Sequence, residues 1–477
     1  MFAQPSEVLE YVAAEDVRMI DLKTIDLPGR WHHVTVPATH LTVDALRYGV
    51  GIDTSSYSGY KTVEAGDMRV VPDLSTGMQD TFCRANTLSF MCNIVEPISS
   101  EPYPRDPRGV ARRAQDYFPQ VVDVGQPIFS PEVELYIFSN VQYVSEMNTA
   151  GYMVDAVEAS WNSSAEEMPN LGHKIPAHGG YHAVPPRDQL SDLRTEMLMA
   201  IEAAGVVGHY HHHEVGAPGQ VEIEIGFGPL LEMADAVMKM KHIIKNAAHQ
   251  AGASATFMPK PMYGEAGNGM HVHQYIAHEG KSLFWDPEPS YAHLSAMALN
   301  WIGGLLKHAA ALVALCSPST NSYRRLVPGY EAPISCFYGL SNRTAAVRVP
   351  AYSVNERENR IEFRPPDATC NPYLCLAAMT MAGLDGIRQG IDPADHDFGP
   401  FDEDVVKMDE QVRSRITQLP TSLPEALDAL AQDHEFLLHG EVFSEDLVQA
   451  WIGLKQDELS EVNLRPHPHE YVLYYDL

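Results

Sequence analysis

Apolar and polar residues alternate along several short stretches of the chain, a pattern typical of β-strands with one buried face. In the most informative stretch, residues 205–227, Glu222 and Glu224 alternate with valine and isoleucine, and a run of three histidines leads into Glu214. A glycine- and proline-rich turn separates the two strands, so the pattern predicts a hairpin that brings Glu214 close to Glu222. Adjacent carboxylates repel unless a cation or a proton lies between them. A site for a hard divalent cation is one interpretation, and an exposed acidic edge strand is the other.

The same patterns divide the chain into two units. The first has a short helix over 7–14, capped by Ser6, and strands over 17–22, 32–37, 68–72 and 87–94; it ends in the proline-marked segment 101–107. A further helix is predicted to begin at Pro107. Two more are predicted, one from Asp192 that ends before Gly205 and one from Pro229 that ends before Gly252. The apolar stretch 294–316 predicts one buried helix, because Gly303-Gly304 and Lys307-His308 interrupt it as a membrane span. Residues 402–409 and 423–438 are predicted to be helical and acidic.

The net negative charge of the chain disfavours some classes of function. The chain has 33 basic and 63 acidic residues among 477, a net charge of −30, which disfavours nucleic-acid binding because phosphate backbones are repelled. The first seventeen residues lack a basic and then apolar stretch, so no signal peptide is expected. Six cysteines without a CxxC pair predict reduced thiols packed in the core of a cytoplasmic protein.

Further candidate ligands lie on predicted strands. Glu132 and Glu134 share one face of an otherwise apolar strand. Burial of two unpaired carboxylates on such a face would cost roughly several kcal/mol. A glycine-rich loop over 264–269 precedes His271 and His273, which also share a strand face. The glycines allow the backbone to approach a ligand closely. The loop lacks the GK[ST] ending of a phosphate-binding P-loop.

Arginines gather in the last third of this acidic chain. Arg325 lies in a loop over 320–333 that also carries Glu331, and Arg364 follows Glu362 at the spacing of one strand face. The other arginines of this cluster are Arg343, Arg348, Arg357 and Arg360. Guanidinium groups match the oxygens of phosphates and carboxylates, whereas a salt-bridged surface is the alternative.

Taken together, these residues predict phosphoryl transfer from a nucleotide. Six oxygen or nitrogen ligands suit two Mg²⁺ or Mn²⁺ ions better than zinc, which prefers cysteine and histidine. The arginines would share in neutralising the transferred group, and Glu331 is a candidate general base or cation-binding residue.

The chain resembles the type I glutamine synthetase family along nearly its whole length. The matching motifs are Asp53-x-Ser55-Ser56, Pro131-Glu132-x-Glu134, His211-His212-His213-Glu214 with Gln220-x-Glu222, Gly269-Met270-His271-x-His273, Asn321-Ser322-Tyr323-x-Arg325 through Pro333, Asn342-Arg343, and Arg360-Ile361-Glu362-x-Arg364. The resemblance implies an α+β fold: a small β-grasp-like domain over 1–105, and a catalytic domain over 106–477 with a curved antiparallel sheet flanked by helices.

The resemblance also implies an activity, the ATP-dependent ligation of ammonia to glutamate through a γ-glutamyl phosphate, and a role for each candidate residue. One metal ion would be held by Glu134, Glu214 and Glu222, and the other by Glu132, His271 and Glu362. The nucleotide and γ-glutamyl phosphates would be bound by Arg343, Arg348 and Arg360, the adenine would lie near Phe227 and His273, and glutamate would be held by Gly267, Arg325 and Arg364.

The ammonium site would be shared between subunits. Asp53 and Ser56 of an adjacent subunit would form it, and Glu331 would close over it. Members of the family assemble as two stacked hexameric rings, so a dodecamer is expected, with the apolar C-terminal tail contributing to the contact between subunits.

Four positions depart from the family pattern: Thr54 replaces a glycine, Ala266 an asparagine, and His209 and Tyr275 a glutamate and a serine near the nucleotide. Two alternatives stay open, and Thr54 and Ala266 leave room for the first of them. A relative could ligate glutamate to a polyamine or ethanolamine, and a silent ring could serve as a structural or regulatory protein. Retention of Asp53 and Glu331 favours ammonium over a larger amine.

Overall fold

A computed structural model describes residues 2–163, 171–288, 290–329, 332–353, 355–403, 405 and 407–477. The N-terminal part is a small sheet with two helices. Its elements are α1 Pro5–Ala14, β1 Met19–Ile25, β2 Trp31–Pro37, α2 Val43–Tyr48, β3 Val50–Asp53, β4 Asp67–Pro72, β5 Met78–Gln79 and β6 Thr87–Val95. The strand order is β2-β1-β6-β4-β3, with β5 on β6 and with β1 and β6 parallel. Val8, Ile20 and Phe90 belong to its own apolar core.

The rest of the chain forms a larger sheet packed against helices. The strands of this part of the chain are β7 Gln126–Phe138, β8 Asn140–Glu146, β9 Thr149–Asp155, β10 Gly208–His213, β11 Gln220–Ile225, β12 Gly228–Pro229, β13 Ser254–Thr256, β14 Met270–His278, β15 Lys281–Ser282, β16 Ser335–Leu340, β17 Ala345–Val349 and β18 Ile361–Phe363, and all but β8 and β9 belong to the larger sheet. The main path is β10-β11-β7-β14-β18-β17-β16, in which only the β16–β17 pair is parallel among the described strands. The strands β8 and β9 form a separate hairpin.

The helices of this part of the chain are α3 Pro107–Tyr117, α4 Ser191–Ala203, α5 Leu230–Gln250, α6 Ala296–Lys307, α7 Ala309–Cys316, α8 Ser322–Arg325, α9 Pro372–Gln389, α10 Glu410–Arg413, α11 Leu423–Gln432, α12 Glu435–Leu438, α13 Glu445–Asn463 and α14 Pro468–Tyr474. Helices α5, α6, α7 and α9 contribute to the core beside this sheet. The fold class is α+β, as the sequence predicts. The continuous core includes residues of β7, β11, β14, α5, α6, α7 and α9.

A buried ion-pair network joins the small sheet to helices of the larger part of the chain. Arg108 at the start of α3 is 2% exposed and donates to Asp235 of α5 at 3.0 and 2.8 Å, and to Asp73 after β4 at 2.9 Å. Asn371 caps α9 and donates to the carbonyls of Asp26 and Leu27 after β1. Removing one partner of a buried pair leaves an uncompensated charge, so these contacts hold the small sheet in a defined position.

Several predicted boundaries were wrong. The cap of α1 is Gln4 rather than Ser6, because the helix begins at Pro5. The stretch 294–316 forms two helices instead of one, and the described part of 402–409 is not helical. Cys83 is exposed, so it is not a core thiol, whereas the other five cysteines are buried.

Among the helices described, none is by itself long and apolar enough to cross a membrane; α6 and α7 meet that test only as a pair, bent by 73° at their junction.

Candidate active site

The register of the large sheet places the predicted acidic residues in rows on one face. Glu134 of β7 lies opposite Glu222 of β11, and Glu132 lies opposite Glu224. On its other side, β7 pairs with β14 so that Glu132 also lies opposite His271. Directly opposed residues have Cβ atoms about 5 Å apart, so three neighbouring strands bring these side chains into contact range.

The β10–β11 hairpin forms as predicted, but its second strand lies inside the sheet. β11 is bounded by β10 and β7, and all six of its residues are buried. The interpretation of Glu222 and Glu224 as an exposed acidic edge is therefore wrong. His212 of β10 lies opposite Glu222, which adds a histidine to the row.

The first cluster of candidate ligands is made by His212, Glu214 and Glu222, whose ligand atoms lie within 4.8 Å of one another. Glu134 lies beside them and accepts a hydrogen bond from the backbone of Gly269 at 2.7 Å. Burial, and then the charges of Glu134 and Glu222, raise the pKa of Glu214 well above the usual range. Burial, and then the charges of Glu132, Glu134 and Glu224, raise the pKa of Glu222 in the same direction. This group of carboxylates is short of positive charge.

The second cluster joins Glu132, His271 and Glu362, again within 4.8 Å. His271 Nδ1 is 3.3 Å from Glu132 and 3.8 Å from Glu362, which is fully buried. Burial alone would raise the pKa of Glu362, but nearby positive charges, Arg364 first and Arg348 also, lower it to about 2. His273 lies 2.5 Å from Glu132. The positive charge of His273, together with His271, holds the pKa of the Glu132 carboxyl well below its usual range although burial alone would raise it.

The predicted phosphate-binding arginines lie next to the second cluster. Arg348 of β17 is opposite Glu362 of β18 and forms an ion pair with it. Arg360, just before β18, donates to His273 Nδ1 at 3.4 Å and to Ser353 Oγ at 3.2 Å. Arg343 lines the same cavity. The positive groups therefore face the carboxylates across one pocket.

The predicted glutamate-binding residues meet at another side of the pocket. Arg325 of α8 is 5% exposed, donates to the carbonyl of Pro365 at 2.8 Å, and lies 3.4 Å from His271. Arg364 pairs with Glu362 and donates to the carbonyl of Arg343. A Cβ at Gly267 would lie 2.6 Å from the carbonyl of Pro259 and 2.8 Å from the Arg325 side chain, so only glycine fits there.

The predicted adenine-binding residues form an aromatic corner. Phe227 is 40% exposed, and its ring centre lies 6.4 Å from that of His273 and 5.8 Å from that of Tyr275. The Arg360 guanidinium carbon lies 5.2 Å from the centre of the Phe227 ring. An exposed aromatic face beside a cation is suited to stacking with a planar base.

The structure brings together most of the predicted site residues around one cavity of about 670 Å³. They are Glu132, Glu134, Glu214, Glu222, Phe227, Gly267, His271, His273, Arg325, Arg343, Arg348, Arg360, Glu362 and Arg364. Asp53 and Ser56 do not line it: both are exposed on the small sheet, where Asp53 accepts a hydrogen bond from the backbone of Ser55 that lowers the pKa of its carboxyl. Glu331 lies outside the described residues.

Sequence reasoning missed several residues of this cavity. His212 and Glu224 were visible in the histidine run and in the acidic strand, but only the register places them beside Glu222 and Glu132. Tyr210 donates a hydrogen bond to Glu224, and His209 contacts the same carboxyl at 2.9 Å. Tyr352 has no motif around it and could not have been found from sequence.

Both clusters fit hard divalent cations. Their donors are carboxylate oxygens with one imidazole each, which is the set that Mg²⁺ and Mn²⁺ accept, and no cysteine lines the cavity among the described residues. The raised pKa values of Glu214 and Glu222 show a local excess of negative charge that a cation would relieve.

The cavity joins carboxylates suited to cations, arginines suited to phosphates and an aromatic corner, a combination typical of enzymes that transfer a phosphoryl group from a nucleotide. Comparison with known proteins identifies the family. Residues 16–97 match the model of the glutamine synthetase beta-Grasp domain, and residues 104–474 match that of the glutamine synthetase catalytic domain. The chain therefore belongs to the glutamine synthetase family, and this membership supports a glutamate–ammonia ligase that uses ATP and a divalent metal ion.

Full-length relatives agree with this result. The chain is 44% identical to a glutamine synthetase of Streptomyces coelicolor, with 100% of both chains covered, and 45% identical to one of Microchaete diplosiphon, with 99% of both covered. Among solved structures, a Plasmodium falciparum glutamine synthetase matches with a TM-score of 0.90 at 26% identity over 99% of both chains. An apo GmaS structure matches with a TM-score of 0.80 at 24% identity, over 98% of this chain and 99% of that one, and shows likeness of fold.

Proposed function

We propose that this protein ligates ammonia to L-glutamate at the expense of ATP, through a γ-glutamyl phosphate. The observation that carries the proposal is the single sheet face on which two cation-binding clusters meet an arginine group. A carboxylate is a poor electrophile, so ATP must first convert it to an acyl phosphate that an amine can attack.

The metal sites are assigned by their donors. Glu134, Glu214 and Glu222, with His212 beside them, would hold one divalent cation. The other would be held by Glu132, His271 and Glu362. When bound, Mg²⁺ or Mn²⁺ ions supply positive charge that neutralises the phosphate oxygens during transfer.

The protein's own side chains bind and orient the substrates. Arg325 and Arg364, with the backbone at Gly267, hold the glutamate. Arg343, Arg348 and Arg360 face the transferred phosphoryl group, and Phe227 with His273 lines the adenine end. In the first step a γ-carboxylate oxygen bonds to the γ-phosphorus while ADP leaves.

The second step needs an ammonium site. Ammonium must lose a proton before its nitrogen can attack the acyl carbon and expel phosphate, and a carboxylate is the natural acceptor of that proton. We assign this role to Asp53 and Glu331, with Ser56 in the same pocket. Because Asp53 and Ser56 are exposed and lie away from the cavity of their own chain, we assign them to the cavity of a neighbouring subunit.

This assignment requires an assembly. We propose a dodecamer of two hexameric rings in the cytoplasm, with domains over 1–105 and 106–477. The C-terminal α14 supports a contact with another subunit: it has no buried residue, while Tyr471, Val472 and Tyr475 are 60%, 77% and 76% exposed. Exposed apolar side chains in such a group are typical of an interface.

Phosphate release from Mg-ATP and glutamate tests the proposal, with ammonium, putrescine, spermidine and ethanolamine compared as acceptors. Release that is fastest with ammonium and yields glutamine is the expected result. Release with an organic amine alone would assign the chain to γ-glutamyl-amine ligation, and Thr54 and Ala266 would then be the residues to exchange. An absence of release with every acceptor would support the silent ring. The full-length relatives, named glutamine synthetase, favour ammonia.

A further inference from the structure

Four side chains at one side of the cavity alternate between aromatic rings and arginines. The guanidinium carbon of Arg360 lies 5.2 Å from the ring centre of Phe227 and 5.3 Å from that of Tyr352. The guanidinium carbon of Arg348 lies 5.8 Å from the same Tyr352 ring. We call Phe227, Arg360, Tyr352 and Arg348 the arginine–aromatic ladder. Each contact is within the range in which a cation is attracted to an aromatic ring.

Tyr352 occupies a special place in this ladder because it contacts both arginines. It lies between β17, which carries Arg348, and Arg360 before β18. It lines the cavity with both of them and is 55% exposed. A ring shared by two like charges holds them near each other although they repel.

The two arginines have competing partners. Arg348 is paired with Glu362 of the second cluster, and Arg360 contacts His273 and the carbonyl of Glu358. An arginine that binds only to carboxylates would be drawn away from an incoming phosphate, because its donors would be occupied. Attraction to an aromatic ring is not a hydrogen bond, so it occupies none of the guanidinium N–H donors.

We propose that Tyr352 is a nucleotide-positioning residue, whose ring holds Arg348 and Arg360 side by side at the ATP end of the cavity. This inference rests on the proposed ATP-dependent function. It concerns the ring rather than the hydroxyl group, because the ring lies within cation–π range of both arginines. Phenylalanine should therefore replace tyrosine, and alanine should not.

The test uses the assembled full-length protein and its variants Tyr352→Ala and Tyr352→Phe. Two readouts are required: the kinetic constants for ATP, glutamate and ammonium, and the calorimetric Kd of Mg-ADP in the absence of turnover. We expect Tyr352→Ala to raise the KM of ATP and the Kd of Mg-ADP by roughly three- to tenfold, the loss of two exposed cation–π contacts. The KM of glutamate should stay within about twofold, and Tyr352→Phe should restore wild-type binding.

Tyr48→Ala is the matched control, because Tyr48 is also 55% exposed but lies at the end of α2 outside the cavity. It should bind Mg-ADP as the wild type does. Unchanged Mg-ADP binding by Tyr352→Ala, an equal rise in the KM of glutamate, or a Tyr352→Phe variant as weak as alanine would each overturn the inference. If the wild type binds Mg-ADP but releases no phosphate with any acceptor, the proposed function fails, and the binding comparison still decides the role of Tyr352.

Discussion

The two carboxylate clusters share one sheet face but differ in how their charge is balanced. Around Glu214 and Glu222 the main neighbours are further carboxylates, and burial together with repulsion raises both pKa values. Around Glu362, Arg364 and Arg348 outweigh the effect of burial and lower the pKa to about 2. The first cluster therefore depends on a bound cation for its charged form, whereas the second is charged by the protein itself.

This difference assigns separate tasks to similar residues. A cluster that is kept anionic by arginines is organised before any ligand arrives, so its geometry requires little rearrangement on binding. A cluster of mutually repelling carboxylates gains the most from a cation, because the cation relieves the repulsion and the cost of burial together. The same substitution in the two clusters should consequently have unlike effects on the stability of the metal-free protein.

The largest expected effect is on activity, and here the two clusters should behave alike. Glu222→Gln and Glu362→Gln each remove a proposed cation ligand, and we expect kcat/KM to fall by roughly 100-fold or more. Steady-state assays at saturating Mg²⁺ check this result. Glu146→Gln, which changes an exposed strand glutamate of β8 outside the cavity, should leave activity unchanged. Near-normal turnover by either cluster variant would contradict its role as a ligand.

Stability without metal should separate the clusters. Glu362→Gln removes the buried carboxylate that pairs with Arg348 and Arg364, so we expect a loss of about 3 kcal/mol in the free energy of unfolding. Glu222→Gln removes a carboxyl whose charged form is disfavoured by burial and by neighbouring carboxylates, so the free energy of unfolding should rise. Urea unfolding in the presence of a chelator measures both. Changes of the same sign in the two variants would show that the clusters are not electrostatically distinct.

Much of this site could be predicted from local sequence, because its ligands alternate on strands that also carry apolar residues. The pairs Glu132/Glu134 and His271/His273 needed only the strand period to be placed on shared faces. The partner of each residue across the sheet could not be obtained in this way. Whether Glu224 faces Glu132 depends on the register between β11 and β7, which are separated by more than eighty residues of chain.

The fold shows the same division between local and distant information. The helices beginning near Pro107, Asp192 and Pro229 were predicted within one or two residues, since caps and glycine stops are local signals. The apolar stretch 294–316 was predicted as one helix, although His308 ends α6 and precedes α7. His308 contacts Asp385 of α9 at 3.0 Å and Asp433 at 2.8 Å, and these partners lie too far along the chain to be predicted.

A smaller effect concerns the pH dependence of the metal-free protein. Glu214 and Glu222 have pKa values raised in the folded state, so the folded protein binds more protons than the unfolded chain between about pH 4.3, the unfolded value, and the raised folded values. Stability should therefore fall as pH rises from 6 to 8. Mg²⁺ should reduce this slope, and so should Glu222→Gln. Melting curves across this range, with and without Mg²⁺, check the sign; a slope unaffected by both changes would contradict it.

The smallest expected effect on activity comes from a substitution of Glu224. This carboxylate lies between the two clusters and belongs to neither of them. Its oxygens are contacted by Tyr210 and His209, but it also lies within 4.8 Å of the ligand atoms of Glu132 and Glu222. Because its side chain already has protein partners, we expect Glu224→Gln to weaken Mg²⁺ activation by only about threefold, the loss of one nearby charge. A loss as large as that of Glu222→Gln would instead make Glu224 a direct ligand.

The effect of Glu224→Gln on Mg²⁺ activation should depend on pH, because the Glu224 side chain itself titrates. Burial, and then the charge of Glu132, raise the pKa of Glu224 to about 8, so the wild-type side chain is mostly protonated at pH 7 and resembles glutamine in charge. The Mg²⁺ requirements of wild type and Glu224→Gln should coincide below pH 7 and separate above pH 8, where only the wild type gains a negative charge. Mg²⁺ titrations at pH 6.5 and 8.5 measure this. An equal difference between the Mg²⁺ requirements of the two proteins at both pH values would mean that cation binding removes the proton from Glu224 even at pH 6.5. Glu224 would then belong with Glu222 to the cluster whose charged form depends on a bound cation.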